Sequence, residues 1–190
     1  MKRFILLFIS CVCFSSVYAQ TYYSIGDYYN CNGVEGVVFE VSDNGTHGKV
    51  VSLYDFNNVS WVDSSVSNAV IQSSPNDGKA NTDKVMKRSD SYLFYAFARC
   101  RSLGDSWYLP AKFELAKLYA RREVINRALE YNGGEPLDGW YWSSSESDAY
   151  PNDYAYGYII WRNLSSDGGE FNNSKRDSDP HHKVRAIAKF

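Results

Sequence analysis

The residue types best suited to molecular recognition lie near the end of the chain, in two stretches rich in Tyr, Asn, Asp and Ser. These are SSSESDAYPNDYAYGY, residues 143–158, and NLSSDGGEFNNSKRDSD, residues 163–179. Tyr offers a flat apolar ring with a hydroxyl group, and short amide and carboxylate side chains supply adaptable hydrogen bonds. This composition predicts a binding surface, and the alternative is a pair of solvated loops without a ligand. The predicted ligand contacts are Tyr150, Asn152, Asp153, Tyr154, Asn172 and Asn173.

The segment YAYGY alternates in the way expected of a strand. Successive side chains of a strand point to opposite faces, so Tyr154, Tyr156 and Tyr158 share one face. Ala155 and Gly157 occupy the other face. If the Tyr face is the core, the ligand contacts are confined to the loops on either side.

The candidates for catalysis and metal binding are weaker. His181 and His182 stand in the His-rich segment DSDPHH, but adjacent strand residues face opposite ways, so they cannot easily share one metal ion. The Ser residues of WSSSE lack the glycine-framed turn of a hydrolase nucleophile and an obvious His partner. Glu114 has no accompanying nucleophile, base or metal set, so we expect it to accept hydrogen bonds from backbone groups. We therefore predict no catalytic residue, no cofactor and no metal ion.

The start of the chain has the pattern of an export signal. A basic pair precedes an apolar run, residues 4–14, that is too short to span a bilayer comfortably, and cleavage is expected after Ala19. Residues 1–19 are therefore predicted to be a signal peptide and residues 20–190 a single domain. An acyl chain on a cysteine of the signal segment is the alternative to simple cleavage.

Two cysteines, Cys31 and Cys100, remain after this cleavage. An exported chain with two cysteines predicts one disulfide between them. Two buried free thiols are the alternative.

Charge and hydropathy exclude two classes of partner. The chain of 190 residues has a formal net charge of −2 and no basic run, so it lacks the electrostatic footprint of a nucleic-acid-binding protein. After the signal segment, no stretch is apolar enough to cross a membrane.

The elements that must position the Tyr-rich stretches follow from periodicity. An alternating β-branched pattern predicts a hairpin over residues 36–56, and a long polar loop over residues 57–82 either packs on the domain or lines a site. Helical spacing of apolar residues over 89–103, 110–119 and 122–134 predicts two to three helices. Further strands follow to the end of the chain. Strands, then helices, then strands indicate an α+β domain with antiparallel sheets.

Four segments, taken in order, carry a family resemblance: DGKANT (77–82), CRSLGDSWYLPAKFEL (100–115), YWSSSE (141–146) and KVRAIAKF (183–190). Together they resemble the Lcl C-terminal domain family of bacteria. That family is related to fibrobacter major paralogous domains and to the variable proteins of diversity-generating retroelements. The resemblance implies a C-type lectin-like fold.

The resemblance also implies roles for individual residues. The segment WYLP, residues 107–110, would form a bend that joins a core strand to the second helix, and Trp142 and Arg185 would belong to the sheet beneath it. Sugar-binding C-type lectins hold Ca²⁺ with Glu-Pro-Asn and Trp-Asn-Asp, but this chain has EPL at residues 135–137 and no Trp-Asn-Asp. Formylglycine-generating enzymes of related fold use cysteines near the C-terminal side, where this chain has none.

These observations predict an exported, non-catalytic binding module that recognises a glycan or protein ligand. We expect it to be secreted, periplasmic or on the bacterial cell surface. The alternative is a structural or adhesin subunit of a cell-surface assembly, and an enzyme on a formylglycine-generating-enzyme-like fold is less favoured.

Overall fold

The protein is an α+β domain, described by a computed structural model over residues 21–177 and 179–190. The helices of this part of the chain are α1 (Gly78–Met86), α2 (Tyr95–Arg101), α3 (Lys112–Ala120) and α4 (Arg122–Tyr131). The strands are β1 (Tyr28–Cys31), β2 (Val34–Ser42), β3 (His47–Ser52), β4 (Phe56–Asn57), β5 (Trp107–Tyr108), β6 (Gly139–Glu146), β7 (Tyr154–Ile160), β8 (Gly169–Ser174), β9 (His182–Val184) and β10 (Ile187–Lys189).

The strands form two sheets of five. The first has the order β1-β2-β3-β10-β5 and the second β4-β9-β6-β7-β8. Neighbouring strands are antiparallel except β6 and β9, which are parallel. The predicted hairpin is confirmed as β2 and β3. The predicted final strand is two strands, one in each sheet, so the end of the chain connects the sheets.

The first helix, α1, occupies part of the segment that was expected to be a polar loop. Its start is stabilised by Asp77, whose side chain accepts a hydrogen bond of 3.0 Å from the backbone N–H of Ala80. Asn81 is buried in α1 and bonds back to Ser74 through both its amide oxygen and its amide nitrogen. The remainder of the loop packs on the domain, because Trp61 and other side chains along it are buried in the core.

The aromatic bend before α3 is confirmed. Trp107 is 3% exposed, and Leu109 and Pro110 are also buried. Glu114, in the first turn of α3, is 2% exposed, and its Oε2 accepts hydrogen bonds from the backbone N–H groups of Ala111, at 2.8 Å, and Gly78, at 3.0 Å. The expected structural role of this carboxylate is therefore confirmed, and it connects the start of α1 to the start of α3.

Trp142 is buried on β6, as expected, whereas Arg185 lies between β9 and β10 and not in a strand. Arg185 is fully buried, and its guanidinium pairs with the carboxylate of Asp55 and donates to the backbone carbonyls of Ser52, at 2.9 Å, and Glu135, at 3.0 Å. These bonds satisfy a charge that would otherwise be costly to bury.

The predicted disulfide between Cys31 and Cys100 is wrong, because both cysteines are free and lie too far apart to bond. Cys31 ends β1, where its side chain is exposed to solvent. Cys100 lies on the inner face of α2 and is buried in the core beside Phe97. A cysteine count cannot reveal which face of its element each sulfur occupies.

The predicted signal segment, residues 1–19, lies outside the described residues. None of the helices described is long and apolar enough to cross a membrane.

Candidate binding surface

The pairing of β7 with β8 places the Tyr residues on the outer face of the second sheet. Tyr156 is opposite Asn172 in the register, and Tyr154 is opposite Ser174. Ala155, on the opposite face of β7, is fully buried, whereas Tyr154 is 40% exposed. The predicted alternation is therefore confirmed. The Tyr face is exposed at Tyr154, whereas at the other end of β7 Tyr158 packs against a core cluster that contains Ile160.

Helix α3 covers one end of this outer face. The ring of Tyr119 lies 5.9 Å from that of Tyr158, and the ammonium of Lys112 lies 3.9 Å from the centre of the Tyr156 ring. The same ammonium is 3.9 Å from the carboxylate of Glu170. The outer face consequently remains open at the other end of β7, around Tyr154.

Two exposed Tyr rings meet at this open end. Tyr150 is 63% exposed, and its ring centre is 6.0 Å from that of Tyr154, at an interplanar angle of 56°. The backbone N–H of Tyr154 donates to the carbonyl of Tyr150 at 3.0 Å, which closes a turn and holds the two rings as neighbours. The pair presents a continuous aromatic surface to solvent.

Hydrogen bonds around Ser147 connect this turn to β8. The hydroxyl of Ser147 accepts from the side-chain amide of Asn172 at 3.2 Å and from the backbone N–H of Tyr150 at 3.4 Å. The hydroxyl of Tyr156 donates to the carboxylate of Asp148 at 3.1 Å. We name the resulting patch the tyrosine surface. It consists of Tyr150, Tyr154, Tyr156, Asp148 and Asn172.

Two of the predicted contacts, Asn152 and Asp153, are engaged in internal interactions. The side-chain oxygen of Asn152 accepts the backbone N–H of Ala69 at 2.9 Å, and Asp153 pairs with Arg176 at 3.2 Å. Arg176 also donates to the backbone carbonyl of Val66 at 2.7 Å. Asn152 and Arg176 thus anchor the long loop against the β6–β7 turn, whereas the side chain of Asp153 is 58% exposed beside Tyr154 in the chain.

The last predicted contact, Asn173, points away from the tyrosine surface. Its amide nitrogen donates to the carboxylate of Asp177 at 2.8 Å and lies 3.4 Å from Nε2 of His182. His182 is buried, its ring is stacked on Trp142 with a centroid distance of 4.3 Å, and burial lowers its pKa. The side chain of Asn173 thus contacts Asp177 and His182 inside the domain.

Asp177, Asp179 and His182 are the described residues whose ligand atoms, all within 4.8 Å of one another, could hold a metal ion. Asp179 is already bonded to the ring of His181, and Asp177 to the amide of Asn173. These three residues therefore belong to one hydrogen-bonded cluster at the start of β9. His181 is exposed and His182 buried, in agreement with their expected opposite directions.

A buried ion pair beneath the tyrosine surface was missed by sequence reasoning. The ammonium of Lys175 is 2.8 Å from a carboxylate oxygen of Glu146, and their side chains are 0% and 4% exposed. The carboxylate of Glu146 also accepts the backbone N–H groups of Ile71, at 2.8 Å, and Ser73, at 3.0 Å. Burial lowers the pKa of Lys175 to about 8. Nothing in the local pattern distinguishes these two residues from solvent-exposed charges.

No family model matches the chain, and no match is found among curated proteins. The resemblance to the Lcl C-terminal domain family therefore stays a prediction.

Proposed function

We propose that the protein is a non-catalytic binding module that recognises a glycan or protein ligand through the tyrosine surface. The observation that carries this proposal is the pair of exposed rings of Tyr150 and Tyr154, fixed side by side by a backbone turn. Aromatic side chains that are already ordered lose little conformational entropy when a ligand binds. The hydroxyl, carboxylate and amide groups around the rings can orient a ligand by hydrogen bonds.

We also propose that the domain has a C-type lectin-like fold of the Lcl C-terminal type. The four ordered sequence segments support this assignment. It is further supported by the position of β10, which inserts between β3 and β5 and brings the two ends of the domain together. The ring of Phe190 accordingly lies 5.1 Å from that of Tyr23. The expected export signal favours a secreted, periplasmic or bacterial cell-surface location.

The proposal is tested by screening the purified protein on glycan and surface-protein arrays, followed by titration of any ligand found. Tyr150→Ala and Tyr154→Ala should each weaken binding by about 5- to 30-fold, the range expected for a central aromatic contact worth about 1–2 kcal/mol. Tyr131→Ala is the matched control, because Tyr131 is 90% exposed at the end of α4. That variant should bind as the unmodified protein does.

Two results would contradict the proposal. One is unchanged affinity in a folded double variant of Tyr150 and Tyr154. The other is a stable oligomer that buries both rings and binds no free ligand, which would assign this surface to subunit packing.

A further inference from the structure

A recess lies between the β1–β2 turn, the segment from the end of β3 to β4, and the start of β5, and it shares no residue with the tyrosine surface. It has a cavity volume of about 330 Å³. Its apolar lining comes from the residues that follow β3, the start of β4, the segment between α2 and β5, and the start of β5. The apolar lining residues are Leu53, Tyr54, Phe56, Leu103 and Trp107. The helix predicted over residues 89–103 ends at Arg101 as α2, and Leu103 beyond it is 42% exposed.

The charged residues that line this recess are acidic. Glu35 and Asp55 line it, and no Lys or Arg is among the described lining residues. Asp55 is already neutralised by Arg185 and Lys183, whose cationic groups contact its carboxylate. Glu35, by contrast, is exposed, and among the residues described its carboxylate accepts a hydrogen bond only from the hydroxyl of Tyr28.

A second carboxylate without a cationic partner adjoins the recess. Glu135 is exposed, forms no ion pair within residues 21–177 and 179–190, and accepts the backbone N–H of Asp55 at 3.1 Å. The rim is held in place by Tyr54, which is 56% exposed and donates its hydroxyl to the carbonyl of Gly133 at 3.1 Å. The recess thus combines a preformed apolar interior with uncompensated negative charge at its mouth.

We propose that this recess, named here the acidic-rimmed pocket, binds a lysine side chain of a peptide or protein partner. An apolar lining matches the four-carbon stem of lysine, and carboxylates at the mouth match its ammonium group. The exposed ring of Tyr54 can add a cation–π contact. A volume of about 330 Å³ lies at the lower end of the range for small-molecule sites and suits a single side chain.

The test is a titration of the full protein with acetyl-Gly-Lys-Gly-amide, followed by NMR of the Trp107 indole and the Gly33 and Tyr54 amides. The matched peptide contains norleucine, which keeps the stem and removes the charge. We expect the lysine peptide to bind about three- to ten-fold more tightly, because an exposed ion pair and a cation–π contact each contribute modestly. High salt should reduce this difference.

Variants at the pocket separate charge from apolar contact. Glu35→Gln should lower the affinity for the lysine peptide by about two- to five-fold and leave the norleucine peptide unchanged. Glu123→Gln, on the exposed side of α4, is the matched control and should change neither. Leu103→Ser should weaken both peptides. Glu35 and Leu103 are exposed, so these variants should keep the circular dichroism spectrum of the unmodified protein.

The proposal is overturned by equal binding of the two peptides, by no saturable shift with the lysine peptide, or by shifts with methyl glycosides instead of lysine. Lysine-peptide binding unaffected by a combined Glu35→Gln and Glu135→Gln variant would also overturn it. Tyr150→Ala should not alter this binding, so failure here is distinguishable from failure at the tyrosine surface.

Discussion

Removal of the ammonium group of Lys175 should strongly destabilise the domain. In Lys175→Met the side chain keeps similar length, but the carboxylate of Glu146 loses its cation while it remains 4% exposed. The backbone carbonyls of Ala69 and Pro151 also lose their donors, which lie at 2.8 and 2.6 Å. Breaking a buried pair by removing one partner costs about 3–5 kcal/mol. This is a large part of the roughly 5–15 kcal/mol that a domain of ordinary stability has.

Urea denaturation followed by Trp fluorescence and circular dichroism measures this loss. The matched control is Lys79→Met, because Lys79 pairs with Asp83 at 2.7 Å while both side chains are 39% exposed. An exposed pair contributes about 0–1 kcal/mol, so the control should change the free energy of unfolding little.

A double-mutant cycle tests whether the two groups act as a pair. Glu146→Gln alone should also destabilise the protein, because it leaves the buried ammonium without a counter-charge. Lys175→Met combined with Glu146→Gln should cost less than the sum of the two single variants by at least about 1 kcal/mol, since neither variant then contains a buried unpaired charge. Additive effects, or a cost below about 1 kcal/mol for Lys175→Met, would refute this reasoning.

Three further predictions concern other buried groups. Trp107→Ala should destabilise the protein by about 3–5 kcal/mol, while Pro110→Ala should cost under about 2 kcal/mol. Thermal melts that give equal costs for the two variants would contradict the burial of Trp107 at the bend before α3. With a thiol reagent, Cys31 should react in the folded protein and Cys100 only after unfolding. If neither cysteine reacts until a reductant is added, the two cysteines form a disulfide and this prediction is wrong. Burial lowers the pKa of His182 below its ordinary 6.5, so the unfolded chain takes up the proton first as the pH falls. Stability should therefore decrease below about pH 6.5, and His182→Phe, which keeps a ring against Trp142, should reduce that decrease. A variant with an unchanged pH profile would show that His182 does not cause it.

Local features of the sequence determined the secondary structure well. The hairpin of β2 and β3, the alternation of β7, and the backbone-bonded role of Glu114 were all predicted correctly. Each depends on a property of consecutive residues: the two-residue period of a strand, or the unpaired N–H groups at the start of a helix. Even α1 had a local signal, because Asp77 precedes it as an N-cap, although the polar composition favoured a loop.

Only the tertiary structure decided which polar groups face solvent and which charges meet. Of the predicted contacts, Tyr150, Tyr154 and Asn172 lie together, and Asn152 and Asn173 are engaged within the domain. Asp153 pairs with Arg176 but its side chain is 58% exposed. The same limit explains the free cysteines and the buried pair of Lys175 and Glu146, which are 29 residues apart. The composition of a segment limits which interactions its residues can make. Which of these form depends on the packing of distant elements, because a buried polar group needs partners that can lie far away along the chain.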